Sequence, residues 1–122
     1  MMKLQNNMFR IVMSSSDDEW ITYQIELNAE HFIYKAHFPS NPITPGVCII
    51  KIITEILEQR LNRKLLLTKI SNLKFIFTIS PVENKQVYIQ MKIKQIDESC
   101  NAKGFIKNSE TIVTKFSLVY KS

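Results

Sequence analysis

His37-Phe38-Pro39-Ser40-Asn41-Pro42-Ile43-Thr44-Pro45-Gly46 leads without a break into Val47-Cys48-Ile49-Ile50-Lys51-Ile52-Ile53, a proline-rich ribbon running into an apolar helical pattern. Pro39, Pro42 and Pro45 fix φ at their own positions and push each preceding residue towards extended backbone, so the segment is expected to cross the fold as a stiff, non-helical ribbon. That would hold His37, a titratable imidazole, just ahead of a helix start. Gly46 lets the chain turn and brings unpaired N–H groups close to whatever lies in front of the helix, where the macrodipole favours negative charge. A general base facing an oxyanion site is one reading of this arrangement.

Outward from the ribbon, the pattern predicts one long helix from Gly46 to about Arg63, ~25 Å at the usual rise per residue. Its apolar positions (Val47, Ile49, Ile50, Ile52, Ile53, Ile56, Leu57 and Leu61) cover a wide arc, which implies a mostly buried helix. Before it, Phe9 to Met13 and Trp20 to Leu27 read as a hairpin turning at Ser14 to Asp18. After it, alternation at Leu73, Phe75, Phe77 and Ile79, then at Val87, Ile89, Met91 and Ile93, then at Ile112, Phe116, Leu118 and Tyr120 marks strands. Ala102 to Lys107 completes the set, with turns at 81–85, 97–99 and 107–110. The expected fold is α+β: about six antiparallel strands around one central helix, in a single domain over residues 1–122. Such a sheet leaves an edge and a helix face that commonly pair into a dimer.

Composition sets further bounds. The chain has 122 residues, 45% of them hydrophobic, enough to bury roughly two-thirds of the unfolded surface without a staple. Cys48 and Cys100 show no metal-ligand spacing, and with two histidines in all no metal or other cofactor is expected. Residues 1–7 include Lys3, Gln5, Asn6 and Asn7 and no apolar run approaches the ~18 residues of a membrane span, so a cytoplasmic protein with no membrane partner is expected. The net charge is +5, but the lysines are scattered with no compact basic tract, and nucleic acid is not indicated.

The run His37–Val47 closely resembles, with no gap, the signature of the hot-dog-fold 3-hydroxyacyl-(acyl carrier protein) dehydratases, His-Phe-Pro-Gly-x-Pro-x-x-Pro-Gly-Val. Lys74-Phe75-Ile76-Phe77-Thr78-Ile79-Ser80-Pro81-Val82 is similar to a later strand of that family. The resemblance implies a hot-dog fold, an acyl carrier protein or acyl-CoA thioester as partner, a homodimer or a heterodimer with a relative, and a substrate site bordered by Phe38, Pro45, Gly46 and Val47. It also implies that His37 takes the C2 proton and that the N–H groups of Gly46 and Val47 serve the thioester oxygen. The family's acid stands fourteen residues after the histidine, and here that position is Lys51. Four residues on, in place of the usual Gln, stands Glu55. Ser40 replaces the first motif glycine and Ala36 the small residue before the histidine. Carrier proteins of this kind are acidic, so Arg10, Arg60, Arg63, Lys64 or Lys69 could steer one, although a solvated basic surface is the commoner meaning of such residues.

Dehydration needs a base for the C2 proton, an acid for the departing hydroxyl and donors for the charge on the thioester oxygen. Lys51 would need a lowered pKa to act as the acid near neutrality. A carboxylate at 55 lies one helical turn, ~5.4 Å, too far along, and Lys51…Glu55 also reads as an ordinary helix pair. Cys48 reads as a buried thiol more readily than as a nucleophile, His31 as incidental, and Phe32, Tyr34, Phe38, Phe75 and Phe77 mainly as core. Three functions are compatible with these residues: a dehydratase-like protein with weak or altered turnover, a non-catalytic acyl-thioester binder or subunit that pairs with an acid-bearing relative, and a thioesterase.

Overall fold

The computed structural model describes residues 3–36 and 40–122. Six strands, β1 (Phe9–Ser16), β2 (Ile21–Leu27), β3 (Leu66–Phe75), β4 (Gln86–Ile96), β5 (Ser99–Asn108) and β6 (Thr111–Lys121), join in one sheet of order β1-β2-β4-β5-β6-β3. All neighbouring strands run antiparallel. Alternation decides which side chains go inward: Tyr23 and Ile25 of β2 lie opposite Ile89 and Val87 of β4, and these four are buried together with Leu27. On β5 and β6, Cys100, Ala102 and Ile106 face inward with Tyr120, Leu118 and Thr114. The helix α2 (Gly46–Leu61) buries Cys48, Ile49, Ile52, Ile53, Ile56 and Leu57 in the same core. This is the hot-dog architecture, α+β, expected from the resemblance.

The helix ends two residues before the expected Arg63, because Asn62 adopts the left-handed conformation (φ 54°) and its N–H returns to the Glu58 carbonyl; Asn is one of the few residues that tolerates this cap. A short helix α1 (Phe32–Ala36) precedes the ribbon and has no counterpart in the sequence pattern. At five residues it carries no readable period. Its start is fixed locally, where the Ile33 N–H donates to His31 Nδ1 at 3.2 Å.

Two further expectations change. The strand expected over Leu73 to Ile79 begins earlier, at Leu66, and stops at Phe75. Two bulges, between Leu67 and Lys69 and between Ile70 and Asn72, break the period of two along β3 and hide it from an alternation search. Beyond Phe75 the N–H groups of Ile76 and Phe77 both donate to the Val113 carbonyl, at 2.8 and 3.1 Å, and close the ladder. The aromatic core is also smaller than expected. Tyr34 is fully buried, but Phe32, Phe75 and Phe77 are about half exposed, and Phe38 lies outside the described residues. The first hairpin turns later as well: β1 runs on through Ser16, and Asp17 closes the turn by accepting from the N–H groups of Glu19 and Trp20.

Candidate functional site

Among the described residues, no side chain caps the amino end of α2. Pro45 stands at the cap position in extended conformation (φ −61°, ψ 146°) with no side-chain bond to the helix. Its carbonyl accepts from the N–H groups of Cys48 and Ile49 at 3.0 and 3.1 Å, whereas Gly46 and Val47 donate to no described residue. Two oriented N–H groups therefore sit at the positive end of a helix dipole, the arrangement that stabilises an oxyanion. A Cβ on Gly46 would lie 2.9 Å from Cζ of Phe75, so a larger residue here would push that half-exposed ring aside.

Two contacts with no signal in the sequence hold the ribbon to the rest of the fold. The Thr44 N–H donates to the Ile79 carbonyl at 2.8 Å, and the Thr44 hydroxyl shares a 2.8 Å hydrogen bond with the Tyr34 hydroxyl. Burial pushes the Tyr34 phenol up to about 12, so it stays neutral and positions the ribbon without charge. Burial also raises the Cys48 thiol, which keeps it out of the thiolate form that a nucleophile needs. His31, buried and stacked on Phe32, is held below its usual imidazole range by desolvation. It serves the start of α1.

Farther along α2, Lys51 is 28% exposed and its Nζ lies 4.0 Å from Glu55 Oε2. Glu55 is buried, with its carboxylate bound to the chain's own amino-terminal segment: Oε2 accepts from the Leu4 N–H at 2.7 Å and Oε1 from the Gln5 N–H at 2.8 Å. One turn on, Glu58 Oε2 accepts from the Leu65 N–H at 2.9 Å. Both carboxylates thus anchor backbone. Around them lies an open groove of about 630 Å³ that includes Lys3, Lys51, Gln59, Arg63 and Lys64.

His37 and Phe38 lie outside the described residues, so the site as described consists of Pro45, Gly46 and Val47 at the helix start, with Lys51 and Glu55 one and two turns on. Val47 is exposed, as are the side chains of Phe75, Ile76 and Phe77. The inner seam between Ile25, Thr44, Ile49, Ile79 and Ile106 encloses only about 10 Å³, barely the room for one water. Among the described residues, no three His, Cys, Asp or Glu side chains gather to hold a metal, and no helix is long and apolar enough to cross a membrane.

The model of the ApeI-like family, ApeI dehydratase, matches residues 13–114. Among solved structures, the chain is similar to the dehydratase heterocomplex ApeI:P from Xenorhabdus doucetiae (14% identity, 92% of this chain and 96% of that one, TM-score 0.72). It is also similar to the HP0420 homologue from Helicobacter felis (13% identity, 96% and 89%, TM-score 0.65). A third likeness is to the (R)-hydratase from A. caviae involved in PHA biosynthesis (14% identity, 71% and 67%, TM-score 0.52). No curated protein matches it. At these identities the structural likenesses carry the fold.

Proposed function

We propose, from the premise that the chain belongs to the ApeI-like dehydratase family, that it takes a 3-hydroxyacyl group presented as a thioester on a cytoplasmic acyl carrier protein. The observation that carries this reading is the start of α2, where the Gly46 and Val47 N–H groups lie in a region with the exposed apolar side chains of Val47 and Phe75. The N–H pair suits the thioester oxygen and the apolar surround suits an alkyl chain. Since the inner seam of one chain is nearly closed, the acyl chain is assigned to the space between this surface and a second hot-dog subunit.

In the reaction, His37 removes the C2 proton, the negative charge moves onto the thioester oxygen facing Gly46 and Val47, and the C3–O bond breaks as the C2–C3 double bond forms. The departing hydroxyl needs a proton to leave as water. Lys51 stands at the position of the family's acid, where an ammonium replaces the carboxyl group that would hand over the proton. Glu55 is bound to the Leu4 and Gln5 N–H groups and Glu58 to that of Leu65, which speaks against either as a substitute acid or as the base of a thioesterase. A homodimer is therefore expected to dehydrate slowly.

Lys51 at the position of the family's acid favours a second reading, in which this chain is one subunit of an unlike pair and its relative brings the carboxylate. The X. doucetiae structure, a dehydratase heterocomplex, lends this precedent. The test is to follow enoyl formation from a 3-hydroxyacyl carrier-protein thioester with the pure chain and with Lys51→Glu. Lys51→Glu is expected to accelerate the reaction by about 10²-fold, the lower range for restoring a general acid. Product from neither protein retires the catalytic reading, and rescue by a co-purified acid-bearing relative selects the unlike pair.

A further inference from the structure

The scattered lysines of the sequence are not scattered in the fold. Of the chain's 16 Lys and Arg, nine lie in the six strands, together with just one of its 11 Asp and Glu. Strand register places all ten on the outer face, away from α2. Lys92 pairs with Lys103 beside the inward pairs Met91–Gly104 and Ile93–Ala102, and Lys115 pairs with Lys74 between the inward Phe116 and Thr114. The single carboxylate, Glu26, sits on β2 and is bound by Arg10 of β1 at 3.0 Å. The four contiguous strands β4, β5, β6 and β3 therefore carry Lys69, Lys74, Lys92, Lys94, Lys103, Lys107, Lys115 and Lys121 with no acid among them.

Two of these contacts work against the fold. Lys92 stands directly opposite Lys103, and Lys74 opposite Lys115. Like charges at directly paired positions destabilise a sheet, and among the described residues none of the eight lysines has a carboxylate within ion-pair distance. Such an array is relieved when a layer of negative charge is laid over it. Trp20 sits at the margin of the array, its ring 5.4 Å from that of Phe105, with Lys92 Nζ 4.7 Å above Trp20 and Lys107 Nζ 5.8 Å from Phe105.

We propose, in place of the expectation of no membrane partner, which rested on the lack of a spanning segment, that the outer face of β4-β5-β6-β3 is a docking surface for an anionic phospholipid bilayer. The face is broad, its charges are spread over four strands, and every cation in it is a lysine. Lysine acts as a point charge on a long stem and suits a diffuse anionic layer, whereas recognition of individual phosphates favours the arginine fork. A single-stranded nucleic acid fits less well, since the aromatic faces it would stack on are covered by Lys92 and Lys107. Docking leaves the start of α2, on the opposite side of the sheet, free for its substrate, and the proposal does not depend on that chemistry.

The test is co-sedimentation of the full chain with vesicles of phosphatidylcholine alone and of phosphatidylcholine with one-third phosphatidylglycerol. The protein is expected to sediment with the second and not the first, and to be released by salt as the Debye length falls below ~8 Å. Lys103→Gln and Lys115→Gln are each expected to weaken partitioning about fivefold, and Lys64→Gln, outside the strands, to leave it unchanged. Thermal melts confirm that each variant is folded. Equal binding to both vesicles, equal loss in Lys64→Gln and Lys103→Gln, or retention on single-stranded DNA or polyglutamate without vesicle binding would each overturn it.

Discussion

Where the inner face of the sheet presses Ile89, Met91, Ala102 and Leu118 into the core around α2, the outer face of the same strands holds lysines out in water, at alternate positions along one chain. The inner face is fixed by shape and has almost no empty space. The outer face of β4, β5, β6 and β3 has little packing beyond the Trp20–Phe105 contact, and its charged residues share one sign. Substitutions on the inner face should therefore act through sterics and resist changes of solvent, whereas those on the outer face should act through charge and follow the ionic strength.

Gly104 offers the harshest way to test the inner half of that comparison. It lies between Met91 and Phe116 in the register of β4, β5 and β6. A Cβ there would overlap the Gln90 carbonyl oxygen and come within 2.7 Å of Met91 Cα, both backbone atoms that cannot rotate away. Gly104→Ala is expected to destabilise the fold by roughly 3 kcal/mol, read as a lowered urea midpoint that added salt does not restore.

Glu55 tests whether a charge on the inner side behaves as part of the packing. Its carboxylate holds the Leu4 and Gln5 N–H groups at 2.7 and 2.8 Å, and Leu4 and Met8 are fully buried behind that contact. Glu55→Ala leaves two donors without an acceptor and is expected to cost about 2 kcal/mol. Amide exchange at Leu4 and Gln5 should rise well before exchange in β4 and β5. If both regions open together, the carboxylate is part of the global core and not a local clasp.

These two residues also mark how far the sequence could be read. The ribbon, the helix and five strand patterns were legible because each is local: proline geometry, an apolar arc, a period of two. β3 was half hidden because its bulges at Thr68 and Ser71 destroy that period. Phe75 and Phe77 look like core in sequence, and their exposure follows from lying at and just beyond the end of an edge strand. At the site, Gly46, Val47 and Lys51 could be singled out from spacing and resemblance, whereas the binding of Glu55 to residues fifty positions away could not. The lysine array was invisible for the same reason. Its members are spread from 69 to 121 and gather only when the register is set.

The smallest expected effect is the one most specific to the outer face. Removing one member of the Lys92–Lys103 pair relieves a like-charge contact at directly opposed positions, so Lys103→Gln should raise stability, by a few tenths of a kcal/mol on the scale of cross-strand pairs. Because both ammonium groups are in water, the gain should shrink as salt screens the repulsion. It should vanish in a Lys92→Gln background, where there is no partner left to repel. A double-mutant cycle on melting temperature at low and high salt reads both terms. A gain that persists at high salt would mean that glutamine simply packs better than the lysine it replaces, and the outer face would then be governed by shape as the inner one is.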